Sequence, residues 1–253
     1  MRRLSVLFSL MAALVVTGCS SQSEEVNVYS ARKEALIKPL LDRFTSETGI
    51  TVNLITGSAD ALVERMKAEG EHSPADVLIT TDAGRLYRAQ QEGQLATTES
   101  DTLAEQVPEA LRDPEGHWYG LSVRARVVVY APDRVDPSEL STYEALADEK
   151  WDDRICIRSS DNIYNQSLTA SLIAHNGEAD TEQWAEGLVS NMARDPVGGD
   201  RDQIKALAAG ECDIAVVNTY YLGMMQGGDN ADAREIAEQV AVFYPDLQDE
   251  RFK

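Results

Sequence analysis

The stretch GECDIAVVNTYYLG, residues 210–223, carries an apolar run from Ile214 to Val217 and then two adjacent tyrosines, Tyr220 and Tyr221. The apolar run reads as a buried strand. A strand sends neighbouring side chains to opposite faces, so a strand continuing through both tyrosines would split them between core and solvent. A break from strand to helix at Asn218–Thr219 instead lets the two phenols converge, because adjacent helix residues sit only about 100° apart. The fold reading works outward from that break.

Strand-like and helix-like segments alternate along the rest of the chain. EVNVYS reads as a strand, followed by a helix ending near DRFTSETG with Pro39 in its first turn. ITVNLIT is a second strand, and SADALVERMKAEG an amphipathic helix with Ser58 as N-cap and Gly70 just past its end. ADVLITT and AGRLYRAQQEG add a strand and a helix. This βαβαβα rhythm implies an α/β fold with a mostly parallel sheet under helices. The stretch WYGLSVRARVVVYAP reads as an extended crossing between two bodies. A second alternation follows: ICIRSS as a strand, YNQSLTASLIAHNG, TEQWAEGLVSNMA and DRDQIKALAAG as helices, DIAVVNT as a strand, YYLGMM as the start of a helix and VAVFYPD as extended chain. Two α/β lobes joined by extended crossings describe a hinged binding protein that closes on a ligand.

Composition limits the function. The 253 residues hold 43 acidic against 23 basic side chains, a formal charge of −20. Such a surface repels nucleic acid and anionic membrane faces. An apolar content of 43% with 6% aromatics is that of a folded globular chain. Residues 1–18 read as a secretory signal peptide: Arg2 and Arg3, an apolar run from Leu4 to Val16, then small residues. The ending VTGC resembles a bacterial lipobox, which makes Cys19 the lipid-bearing first residue after export and the lipid the protein's one hold on the membrane. Cys156 and Cys212 remain. In an oxidising compartment they form either a disulfide or two buried free thiols. CxxC spacing is absent, and with it any sequence support for redox or zinc chemistry.

The stretches YSARKEALIKPLLDRF, HSPADVLITTDAGRLYRAQQEG, RARVVVY, IRSSDNIYNQSLTASLIAHNG and GECDIAVVNTYYLG together resemble the periplasmic ferric-iron-binding proteins of bacterial ABC importers. The resemblance covers about Glu25 to Asp246 and implies the type II periplasmic-binding-protein fold. It divides the chain into the signal peptide, an N-terminal lobe over 19–125, a C-terminal lobe over 126–240, and the start of a second crossover over 241–253. Relatives continue beyond that point, so a C-terminal segment is expected to be missing. The implied function is capture of Fe(III) outside the cytoplasm and delivery to an importer permease, by a monomer and without catalysis.

Matching NTYY carries the iron-ligand role onto Tyr220 and Tyr221, and matching NIYNQS carries a third phenolate onto Tyr164. The chemistry agrees, since a small, hard, highly charged ion prefers anionic oxygen to thiolate. The family's YSxRHY places a His or Tyr ligand near the N-terminus, but YSARKE has Lys33 and Glu34 there. Protonated Lys33 cannot coordinate. Glu34 and Asp82 are the weaker carboxylate candidates. Relatives fill the open coordination positions with a synergistic anion such as carbonate, held by arginine, and Arg124 with Arg126 match that role. For both arginines, salt bridging in an acid-rich protein is the competing reading. Tyr87, Tyr119, Tyr130 and Tyr143 are read as packing residues, and His72, His117 and His175 as surface residues. Two other readings stay open: a solute-binding protein for an oxyanion or organic ligand, and a shortened form that does not bind iron.

Overall fold

The computed structural model describes residues 24–245. The signal peptide, Cys19 and residues 246–253 lie outside the described residues. What is described forms two compact units, the first ending at Thr81 and the second beginning at Asp82.

The first unit runs β1 (Glu25–Ser30), α1 (Glu34–Thr48), β2 (Thr51–Thr56), α2 (Ala59–Glu69) and β3 (Val77–Ile79). Its sheet is parallel with order β2-β1-β3, and Val28 faces Leu54 on one side and Val77 on the other. The central strand buries successive residues, Val28 and Tyr29, as a parallel strand covered on both faces does. Ser58 caps α2 by accepting from the Ala61 amide at 3.3 Å. Leu62 and Met66, one turn apart on that helix, bury against Tyr29, and each contributes about 1.5–3 kcal/mol by leaving water. The Tyr29 hydroxyl donates to Glu69 at 3.0 Å, so its polar end is satisfied inside the unit. Pro39 corrects the expectation: α1 starts at Glu34, after Lys33 as cap, which puts the proline in the helix interior. Lying only five residues in, it removes one amide bond, the one to Ala35, and the helix continues to its left-handed Gly49.

The second unit contains α3 (Ala83–Gln91), α4 (Asp101–Gln106), β4 (Arg126–Tyr130), β5 (Ile155–Cys156), α5 (Ile163–Asn176), α6 (Glu178–Ser190), α7 (Asp200–Ala208), β6 (Ile214–Asn218), α8 (Thr219–Gly227), α9 (Ala231–Glu238) and β7 (Ala241–Phe243). Its sheet has order β5-β6-β4-β7. β5 lies parallel to β6, while β4 is antiparallel to both β6 and β7, so this sheet is mixed. The run read as a crossing between bodies therefore folds, over Arg126–Tyr130, as an inner strand of this unit, with Val127, Val128 and Val129 at most 1% exposed.

Side-chain alternation divides the core between the two faces of this sheet. Val127, Val129, Ala215 and Val217 pack with Ile204 and Leu207 of α7, Leu222 and Met225 of α8 and Ala237 of α9. Val128, Tyr130, Ile214 and Val216 pack on the other face with Leu172 of α5 and Trp184 and Leu188 of α6. Cys156 and Cys212 are joined in a disulfide with Cα atoms 5.9 Å apart, which decides between the two readings left open by the sequence. The helices that carry the three phenols thus stand on opposite faces of one sheet, and both begin near the end of β6.

Candidate metal centre

β6 ends at Asn218 and α8 begins at Thr219, the break expected from GECDIAVVNTYYLG. Tyr220 and Tyr221 occupy the first turn of α8, with ring centres 4.3 Å apart and planes inclined by 33°. α5 begins after Asn162, whose side-chain carbonyl accepts from the Tyr164 amide at 3.0 Å. That cap fixes Tyr164 in the first turn of α5. Its hydroxyl lies 3.2 Å from the Tyr220 hydroxyl. Residues 164 and 220 are far apart in the chain, and the strand-to-helix break brings their oxygens together.

All three tyrosines are half-buried. Each has a guanidinium over its ring: Arg158 at 5.6 Å from Tyr164, Arg124 at 5.6 Å from Tyr220, and Arg201 at 5.9 Å from Tyr221. Cations at such distances are drawn to the π-face. Burial first, and then hydrogen bonding with Tyr164 and Tyr221, push the Tyr220 phenol far above its ordinary value. A phenol is mostly protonated at neutral pH even unperturbed, so this shift makes ionisation of Tyr220 harder still.

The two arginines read together as anion ligands part company. Arg126 is committed inward, donating to Asp200, Asn218, Asn165 and the Val216 carbonyl. Its salt bridge to Asp200 joins two buried side chains. Arg124 precedes the strand, faces the Tyr220 ring, and keeps its Nη1 buried with no hydrogen-bond partner among the described residues. A buried donor without an acceptor is costly, and of the two arginines Arg124 is the one that keeps hydrogen-bonding capacity to spare.

Asp82 belongs to the second unit, where it caps α3. Its Oδ1 accepts from the Gly84 amide at 2.9 Å and from the Ser167 hydroxyl at 2.7 Å, one turn along α5 from Tyr164. Its backbone is left-handed, at φ 80°. Glu34 opens α1 in the first unit, exposed, next to exposed Lys33. Tyr119, Tyr130 and Tyr143 are packing residues: Tyr119 donates to the Thr98 carbonyl at 2.7 Å, and Tyr130 and Tyr143 join the core beneath α6. Tyr87 departs from expectation, being 58% exposed. His117 is likewise corrected, because it is half-buried with Nδ1 2.8 Å from the Asp113 carboxylate. Sequence reading missed Asp200, Asn165, Arg158 and Arg201. Asp200 follows two glycines and looks like an ordinary acidic helix start. No spacing signals that it meets Arg126 from 74 residues away.

A sheet flanked by helices, with polar groups gathered at the helix starts beside one strand end, is where α/β folds in general bind ligands. The chain belongs to the bacterial extracellular solute-binding protein family, whose family model matches residues 72–246. Among its relatives, Iron uptake protein A1 of Synechocystis is 50% identical over 227 residues, covering 90% of this chain and 63% of the relative. Iron uptake protein A2 of the same organism is 46% identical, with 95% and 68% covered. This chain thus spans about two thirds of the length of those relatives. Among solved structures, the Trichodesmium FutA protein in complex with iron and citrate superposes with a TM-score of 0.86 at 50% identity, covering 88% of this chain and 71% of that one. Apo FutA2 from Synechocystis gives 0.85 at 47% identity, with 90% and 71% covered. The mixed α/β architecture and its two sheets are those of the periplasmic ferric-binding proteins, the type II fold expected from the sequence.

Proposed function

We propose that this protein captures Fe(III) outside the cytoplasm through the phenolate oxygens of Tyr164, Tyr220 and Tyr221, and hands it to an ABC importer permease. The observation that carries the reading is the 3.2 Å contact between the Tyr164 and Tyr220 hydroxyls, with Tyr221 stacked beside Tyr220. At that separation one phenol donates its proton to the other's oxygen, and a trivalent cation in place of the protons would engage both oxygens as anions. Hard anionic oxygen is the donor type such an ion selects. The names of the relatives, iron uptake and ferric-iron-binding proteins, favour the same cargo.

The guanidinium groups set the charge balance. Three phenolates neutralise one Fe(III), and Arg124 with its unpaired Nη1 is the group to hold an additional oxyanion such as carbonate. Neither Lys33 nor Glu34 is needed as a ligand. Because phenols are protonated at neutral pH, metal uptake releases protons, and affinity falls as pH drops and protons compete for the same oxygens. Anchoring through lipid on Cys19 would keep the loaded protein close to its permease.

The test is addition of Fe(III) to the purified protein with bicarbonate present. A visible phenolate-to-iron charge-transfer band at one equivalent, with proton release, is the expected result. A colourless protein that retains no iron after desalting would overturn the reading.

A further inference from the structure

The tyrosines that meet at 3.2 Å come from two helices on opposite faces of the sheet, so something must set their spacing. One buried ion pair touches both helix starts. The Arg126 side chain is 8% exposed and that of Asp200 fully buried. Arg126 Nη2 donates to Asn165 Oδ1, next to Tyr164 on α5, and to the Val216 carbonyl of β6 at 3.1 Å. Arg126 Nη1 donates to Asn218 Oδ1 at 3.2 Å, at the cap of α8 two residues before Tyr220. The same Nη1 reaches Asp200 Oδ2 at 3.2 Å. Asp200 completes the circuit. Its Oδ2 accepts from the Asn218 amide at 2.8 Å, and its Oδ1 accepts from Arg158 at 3.1 Å, the guanidinium that lies over the Tyr164 ring.

We infer that Arg126 and Asp200 are positioning residues, a clamp that holds the starts of α5 and α8 at the separation that brings the Tyr164 and Tyr220 hydroxyls together. The planar fork of Arg126 is what makes this possible, since its two terminal nitrogens serve two helices at a fixed angle. A point charge could satisfy Asp200 but not both asparagines. The functional half of the inference rests on the iron reading above. The geometric half does not.

Removing the charge of Arg126 outright would leave buried Asp200 with Arg158 as its one remaining cation and would strip both asparagines of their donor, so a failure of such a variant to fold would be uninformative. Arg126→Lys keeps the charge and loses the fork. Asn165→Leu cuts the link to α5 and leaves the ion pair whole. Asn165→Asp restores an acceptor for Arg126 but not the Asn165 Nδ2 donors, which now bond the Arg158 carbonyl at 2.8 Å and the Ser159 carbonyl at 3.3 Å. Crystal structures of the folded variants and Fe(III) titrations by the charge-transfer band are the two measurements. In Arg126→Lys and Asn165→Leu the hydroxyls should separate beyond hydrogen-bond distance and iron affinity should fall about 10- to 100-fold, the range for lost outer-shell support. Asn165→Asp should recover most of both. Folded Arg126→Lys and Asn165→Leu proteins that keep the 3.2 Å contact and the parent affinity would overturn the clamp. So would an Asn165→Asp protein as impaired as Asn165→Leu, because the loop carbonyls would then be doing the positioning. If the parent protein itself forms no phenolate band, the iron reading fails, and the hydroxyl separation in the crystals alone decides the clamp.

Discussion

Replacing both Cys156 and Cys212 by alanine tests how the second unit is held together. The two residues sit in and beside neighbouring strands, 56 positions apart in sequence, and both are buried. In the chain-entropy treatment, closing a loop of that length removes about 14 cal/mol/K from the unfolded chain, or about 4 kcal/mol at room temperature. For a unit of this size each kcal/mol moves the melting temperature by about 2–4 °C, so losing the bond should lower it by roughly 10 °C. The assay is thermal unfolding followed by far-ultraviolet circular dichroism on the oxidised protein, the same protein in reductant, and the double variant. The reduced protein and the variant should melt close together and well below the oxidised form. Intact mass before and after alkylation verifies the redox state of each sample. Coincident melting of fully reduced and oxidised protein would refute the reasoning, as would two thiols that label freely in native material.

Acid stability follows from Asp213. Burial alone would raise its carboxyl, but the Arg154 and Arg134 guanidinium hydrogen bonds outweigh burial and hold it below the ordinary carboxylate value. A depressed folded value gives stabilisation that is complete above the unfolded value, near 3.9, and is lost as pH falls through the folded one. Asp213→Asn should therefore lower stability at neutral pH and flatten its decline below about pH 4. Denaturation curves across that range that superimpose on the parent would count against the pairing. Arg124→Ala should leave the fold intact and make the iron band depend more steeply on added bicarbonate, whereas unchanged bicarbonate dependence would remove Arg124 from the anion site.

Much of the fold was legible because single residues carry local rules. Ser58 and Gly70 bracket α2, and the continuous apolar run of β6 marks a strand both of whose faces must be covered. The site was half legible. Tyr220 and Tyr221 declare themselves by adjacency at a strand end, whereas the Asn162 cap that fixes Tyr164 in the first turn of α5 shows only in the structure. What was not legible depends on contacts between segments distant in the chain. Two arginines of RARV look equivalent in sequence, yet only Arg126 falls within reach of buried Asp200, while Arg124, just before the strand, meets the Tyr220 ring. The short helices α4 and α9 lack a long apolar stripe, although Ser100 and Asn230 cap them by rules a sequence does display. Pro39 reads as a first-turn proline because that is its usual place, and the helix simply starts earlier.

The central claim is that three phenolates hold the iron, and the direct measurement is Fe(III) titration of Tyr164→Phe, Tyr220→Phe and Tyr221→Phe, each alone, by visible absorbance with a competing chelator. Phenylalanine keeps the ring packing and removes one anionic oxygen. Each variant should fold as the parent does, lose part of the charge-transfer band, release fewer protons on loading, and bind iron more weakly than the roughly 100-fold loss that marks an outer contact. Parent-like colour and affinity in all three variants would contradict the account.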